Sequence, residues 1–246
     1  MEEKPKEQRE GLKPLPNAEE NKVVMRFAPS PSGALHVGRA LVLCLNHGYC
    51  QMYKGRLILR IEDTDPEKVD LEAYKLLEEG AQWLTNNGVA EVIIQSDRLG
   101  IYYDHAERMI ATGKAYVCTC SGDQFRELSL KKQACPCREI PKQEQLIRWA
   151  KMFSEFKPGD AVVRIKTSIS DPNPAMRDWP AFRINDKHHP RKGSEVKVWP
   201  LMNFAVAVDD HELNVTHAIR GKDHMDNEKK QKFVFDFFKW KIPTHL

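Results

Sequence analysis

A chain of 246 residues with 41% hydrophobic content is long enough for one large or two modest domains and apolar enough to bury a core. It has no apolar run near the roughly 18 residues that span a bilayer and no signal-peptide pattern, so a cytoplasmic protein without a membrane partner is expected. A formal charge of +3 permits a nucleic-acid partner without demanding one, and the spacing of the six cysteines is not that of a disulfide framework.

Residues 1–22 are polar and mixed in charge and read as a solvated tail. The β-prone run 22–27 predicts a strand, stopped by Pro29, Pro31 and Gly33, and an apolar helical pattern then runs over 35–53 until Gly55. Residues 56–61 predict a second strand, which closes a βαβ unit. The polar turn 62–66 follows, then an amphipathic helix over 71–84, a short strand over 91–95 and a helix through 111. Alternating strands and helices predict a doubly wound parallel sheet, whose ligands bind beyond the carboxyl ends of the strands. The Pro-rich loop and Glu62 both fall there.

From residue 113 the character changes. Short β-like pieces at 115–119, 161–167 and 179–184, many prolines and four clustered cysteines predict a loop-rich insertion over 113–198. Strand-like runs at 204–208 and 216–220 and a helical run over 226–238 restore the α/β pattern across 199–246, with 23–112 as the first half of the parent domain.

A strand, a glycine-containing loop and a helix N-terminus in that order make an anion site, because free N–H groups and the helix dipole converge. His36 lies at that mouth and can donate to phosphate oxygens whose charge grows in a transition state, although a lone histidine there is more often a cap. Gly38 lets a flat ligand approach the backbone. Glu62 ends a strand at the ligand edge and suits an ammonium group, whereas Asp65 reads as a cap for the next helix. Arg26 and Arg220, at the ends of an early and a late strand, offer bidentate donors to carboxylates.

Cys118-Thr119-Cys120 and Cys135-Pro136-Cys137 give two C-x-C pairs, and four thiolates suit a tetrahedral structural zinc that replaces the missing core of a small insertion. The disulfide alternative requires cross-pairing in a reducing compartment. Cys44 and Cys50 read as small buried apolar residues. The basic loop 188–192 reads as a solvated turn, with contact to nucleic-acid phosphates as the alternative.

Together these stretches resemble the N-terminal catalytic half of a class I glutamyl-tRNA synthetase of the archaeal or eukaryotic type. RFAPSPSGALHVG is similar to the family's first signature and RIEDTDP to its second, and EVIIQSDR, GKAYVCTC, DWPAFRI, NFAVAVDDH and THAIRGKDH follow in family order. Ser32 and the turn Glu62-Asp63-Thr64-Asp65 favour glutamate over the sister family that charges glutamine. The resemblance implies a Rossmann-like sheet interrupted by an α+β connective-peptide insertion that carries zinc at Cys118, Cys120, Cys135 and Cys137 and holds the acceptor end of tRNA. It implies ATP with Mg2+ across Ala28, His36 and Gly38, catalytic roles for His36, Gly38 and Arg39, and glutamate contacts from Arg26, Ser30, Glu62, Met202 and Arg220. Glutamate would be activated as its adenylate and passed to tRNA by a monomer.

Some positions depart from the family pattern. Arg39 replaces a second histidine, Leu41 an arginine, Met202 a tyrosine and Asn214 a glycine. The chain also ends before the family's lysine-rich KMSKS loop, which makes a separately encoded C-terminal half an expected partner. The alternative is a catalytically degenerate module that binds a tRNA acceptor or a nucleotide.

Overall fold

The computed structural model describes residues 11–221 and 225–246; residues 1–10 of the expected tail and 222–224, which end the THAIRGKDH stretch, lie outside them. In chain order the first half runs β1 (Val24–Phe27), α1 (Val37–Met52), β2 (Arg56–Ile61), α2 (Leu71–Leu84), β3 (Val89–Ile94) and α3 (Leu99–Ala111). Next come β4 (Ala115–Cys118), α4 (Gly122–Leu130), α5 (Lys142–Ser154), β5 (Val162–Ile165), β6 (Pro180–Ile184) and β7 (Val198–Pro200). The last elements are α6 (Met202–Glu212), β8 (His217–Ala218), α7 (Met225–Phe238) and β9 (Thr244–His245). Strands β3-β2-β1-β8-β9 form one sheet, parallel at every pairing, and β4-β5-β6-β7 form a second, antiparallel one. The chain therefore has a Rossmann-type parallel sheet, interrupted by an antiparallel α+β insertion.

Alternation along β2 places its residues in two layers. Leu57, Leu59 and Ile61 join Leu43 and Cys50 of α1 and Tyr74 and Ala81 of α2, while Ile58 packs on the opposite face with Leu213 and Val215. Both faces are covered, so every buried position of β2 except Arg60 is apolar, as in buried parallel strands. The turn between α1 and β2 divides its work between two residues. Lys54, not the glycine, takes the left-handed φ of 48°, and the amides of Lys54 and Gly55 close back on Gln51 and Cys50 in a Schellman arrangement. Gly55 is needed for space, since a Cβ there would lie 2.4 Å from the Val23 carbonyl oxygen.

Residues 204–208 belong to α6 and are not a strand. A short apolar run fits a buried helix as well as a buried strand, and here Phe204 to Asp210 are buried all round. The insertion is also less loop-like than expected, since it contains α4, α5 and the four-stranded sheet. Nor is it without a core: Val163, Phe182 and Trp199 pack with Tyr102 of α3, Phe204 of α6 and Phe235 of α7 in one cluster. Residues 11–22 are largely exposed, as a solvated tail is, but the segment is anchored to the fold. Leu15 is buried and its amide donates to Tyr53 Oη at 2.9 Å, and the Pro16 carbonyl lies 2.9 Å from His217 Nε2. Among the described residues no helix is long and apolar enough to cross a membrane.

Candidate functional site

The carboxyl ends of β1, β2 and β8 open onto a cavity of about 420 Å³. It is lined by Arg26, Ala28, Ser30, His36, Gly38 and Arg39 from the first signature and by Glu62, Met202 and Arg220. Every amino-acid, nucleotide and catalytic candidate read from the sequence thus meets around one space. The cysteines form a separate cluster.

The loop that shapes the cavity is held by its own backbone. Glu62 N–H donates to the Pro29 carbonyl, Asp70 N–H to that of Pro31, and the Arg39 guanidinium to that of Ser30 at 3.1 Å. Gly33 takes a φ of 142°, a conformation open to glycine, and turns the chain toward α1. His36 stands at the N-cap of α1 with an extended backbone and makes no capping bond with its side chain. The first helical bond runs from Ala40 N–H to the His36 carbonyl, so the amides of Val37, Gly38 and Arg39 precede the ladder, and those of Gly38 and Arg39 belong to residues at the cavity wall. A Cβ on Gly38 would meet only the His36 ring within 4 Å.

Beneath the cavity, charge is buried in pairs. On β1 and β2, Arg26 and Arg60 point to the face covered by α6, where Asp209 and Asp210 are buried. Asp210 Oδ1 accepts from Arg60 Nη1 at 2.6 Å and from Arg26 Nε at 3.2 Å, and its Oδ2 lies 3.5 Å from Arg220 Nη2. Arg60 also donates to Glu62 at 3.0 Å. Asp209 accepts from Gln95, Arg98 and Tyr102 at 2.8–2.9 Å. Burial alone would raise the Asp210 carboxyl, but the charges of Arg26 and Arg60 outweigh it and hold the pKa at about 2. For Arg220, burial and then the nearby Arg26 charge bring the guanidinium down to about 10. Burial raises the Glu62 carboxyl, with the charges of Arg60 and Arg26 opposing it. Arg220 Nη1 is buried and has no hydrogen-bond partner among the described residues. An anionic ligand would supply one.

Asp209, Asp210 and Arg60, which belong to the buried charge pairs beneath the cavity, carry no reading of their own from the sequence, although two adjacent aspartates directly after an apolar run were a visible signal. Asp65 does not cap a helix with its side chain: it accepts from Arg183 at 2.5 Å, and Asp70 caps α2. The loop 188–192 is not a solvated turn. His189 is buried, stacks on Trp199 and bonds the Asp63 carbonyl through Nε2 at 2.9 Å, while Arg191 and Lys192 pair with Asp97. Cys50 is buried as expected, but Cys44 is exposed.

Cys118, Cys120, Cys135 and Cys137 bring their sulfur atoms within 4.8 Å of one another. Cys118 ends β4, and Cys135 and Cys137 flank the start of a single helical turn. Thr119 N–H donates to Cys137 Sγ at 3.4 Å, and Arg148 Nη1 lies 3.7 Å from the same sulfur. The hydrogen bond from Cys135 lowers the Cys118 pKa; burial opposes this and the Arg164 charge assists it.

The sequence profile described as "tRNA synthetases class I (E and Q), catalytic domain" matches residues 22–246. The glutamate–tRNA ligase of Thermococcus kodakarensis is 53% identical over 243 residues, covering 97% of this chain and 42% of that protein. The glutamate–tRNA ligase of Methanothermobacter marburgensis is 50% identical over 246 residues, covering 99% of this chain and 44% of its own length. The chain thus spans about two fifths of such relatives. Among solved structures, a glutamate tRNA ligase from Elizabethkingia meningosepticum in complex with its amino acid aligns with a TM-score of 0.65 at 24% identity over 92% of this chain and 49% of that one. At that identity the likeness speaks for the fold.

Proposed function

Because the chain belongs to the catalytic-domain family of class I tRNA synthetases for glutamate and glutamine, we propose that its cavity binds glutamate and ATP, forms glutamyl-adenylate and passes the glutamyl group to the acceptor end of tRNA. The arginine arrangement carries this reading. Arg26 and Arg220 line one cavity beside Glu62, with Arg39 as a third cation at the helix start, so a ligand by the strand ends meets two arginines and one carboxylate. An amino acid with two carboxylates and one ammonium group has the complementary charges.

In this reading Glu62 takes the α-ammonium group and the two arginines take the carboxylates, with Ser30 and Met202 against the rest of the ligand. The α-carboxylate is already ionised, so activation needs no general base. One of its oxygens attacks the α-phosphorus of ATP, which enters with Mg2+, and the bond to pyrophosphate breaks. His36, the helix-start amides, Arg39 and the backbone by Ala28 and Gly38 face the charge that develops on the phosphoryl oxygens. A terminal ribose hydroxyl of tRNA then attacks the activated carbonyl and AMP leaves.

The four cysteines suit Zn2+, whose tetrahedral preference for thiolates matches the donor set. The bound ion would tie the end of β4 to the 135–137 turn and keep the insertion in shape for the acceptor stem. The free thiols agree with a cytoplasmic setting.

The test is glutamate-dependent pyrophosphate exchange with tRNA present, by this chain alone and with a polypeptide that supplies the remaining part of the relatives. Exchange in either case that falls at least tenfold in Arg220→Gln supports the reading. No exchange in both, with tRNA binding retained, supports the degenerate module instead.

A further inference from the structure

Asp209 and Asp210 are adjacent, buried and both paired with arginine, yet they face different parts of the molecule. The hydrogen-bond donors to Asp209 are Gln95, Arg98 and Tyr102, none of which lines the cavity. Two of the three arginines around Asp210, namely Arg26 and Arg220, do line it, and the third, Arg60, donates to the cavity residue Glu62.

The way Asp210 engages these groups matters. It holds Arg26 through Nε, and the Arg26 Nη atoms make no hydrogen bond among the described residues. It lies near Arg220 through Nη2, and Nη1 is left buried and unpartnered. One carboxylate thus sits between two guanidinium groups that would otherwise repel, and leaves donors of each unengaged beside the cavity. Without its charge, Arg26 and Arg60 would be left with Glu62 and the more distant Asp209, and Arg220 with the influence of Glu228.

We propose that Asp210 is a positioning residue for the ligand pocket, a buried counterion that fixes Arg26 and Arg220 in the spacing that receives the substrate carboxylates. It does not touch the ligand. This rests on the glutamate reading above.

The experiment compares Asp210→Asn with Asp209→Asn in the full chain. Glutamate affinity is measured by calorimetry, melting temperature by circular dichroism, and arginine order by NMR of the Nε–H signals. Both substitutions lower the melting temperature. Only Asp210→Asn is expected to weaken glutamate at least about tenfold, the equivalent of one lost charge-assisted hydrogen bond, and to broaden or shift the Arg26 and Arg220 signals. Asp210→Glu is expected to restore part of the affinity.

Equal loss of affinity in the two variants, or unchanged Arg26 and Arg220 signals in Asp210→Asn, would overturn the proposal. If the unsubstituted chain binds no glutamate, the functional reading fails, and the arginine signals still decide whether Asp210 positions those side chains. Should Asp210→Asn fail to fold, the same readouts are taken on Asp210→Glu, where unaltered affinity and unaltered signals count against the proposal.

Discussion

Under α6, the arginines Arg26, Arg60, Arg98 and Arg220 are packed among Asp209, Asp210 and Glu62, whereas at the end of β4 four thiols are packed against each other. The first cluster is nearly self-neutralising; buried donors on Arg60, Arg98 and Arg220 stay unengaged among the described residues, and of these three arginines Arg220 lines the cavity. The second gathers groups that repel as they ionise, with Arg148 and Arg164 as the nearby cations. Buried charge that closes on itself builds a scaffold; buried charge left over marks where something else binds. The leftover is positive charge by the parallel sheet, which fits an anionic amino acid, and a set of four sulfur donors in the insertion, which fits a metal cation.

Metal removal should break the comparison most severely. Zinc binding to a thiolate cluster of this kind contributes on the order of 10 kcal/mol in small zinc domains. Chelation under reducing conditions, or Cys135→Ser, is expected to unfold the segment around β4 and α4 while leaving the parallel sheet folded, as hydrogen exchange would show. Protection unchanged across the insertion would mean that the cluster needs no metal.

The next largest effect lies in the scaffold cluster. Asp209→Asn removes a fully buried carboxylate that pairs with the half-buried Arg98 and lies 3.9 Å from the buried Arg60, and is expected to cost about 3–5 kcal/mol in chemical denaturation. A loss under 1 kcal/mol would show that water reaches these arginines.

Acid titration sharpens the same point. The folded-state pKa of Asp210, about 2, lies below its ordinary 3.8, so its contribution is present above the ordinary value and is lost as pH falls toward 2. The shift corresponds to on the order of 2 kcal/mol. Glu62 has the opposite sign: its raised pKa favours folding below its ordinary 4.5, an advantage lost as pH rises through the folded value. The acid limb of stability should therefore flatten in Asp210→Asn and steepen in Glu62→Gln.

The smallest expected effect tests backbone strain in the sheet scaffold. Lys54→Gly relieves a left-handed φ at a side chain that is otherwise exposed, with a gain of about 1 kcal/mol. A loss would show that the Lys54–Glu20 pair outweighs the strain.

What could be read from the sequence divides along the same line. The spans of β2 and α2 were legible because a buried strand and an amphipathic helix carry their own periodicities, and the cavity residues were legible because the signatures that hold them are contiguous. α6 was misread because its apolar run has no polar side, and the role of Asp210 was hidden because Arg60 and Arg26 lie 150 and 184 residues away. In the insertion, prolines and cysteines drew the eye from α5, whose buried Gln145, Trp149 and Met152 follow helical spacing. Local chemistry shows in the chain; long-range pairing does not.

The most direct test of the account is calorimetric titration of the full chain with glutamate and, separately, with glutamine, its uncharged counterpart at the side chain. The account predicts that glutamate binds and that glutamine binds at least tenfold more weakly, because the amide cannot engage the positive edge formed by Arg26 and Arg220. Equal affinity for the two, or no binding of either, would contradict it.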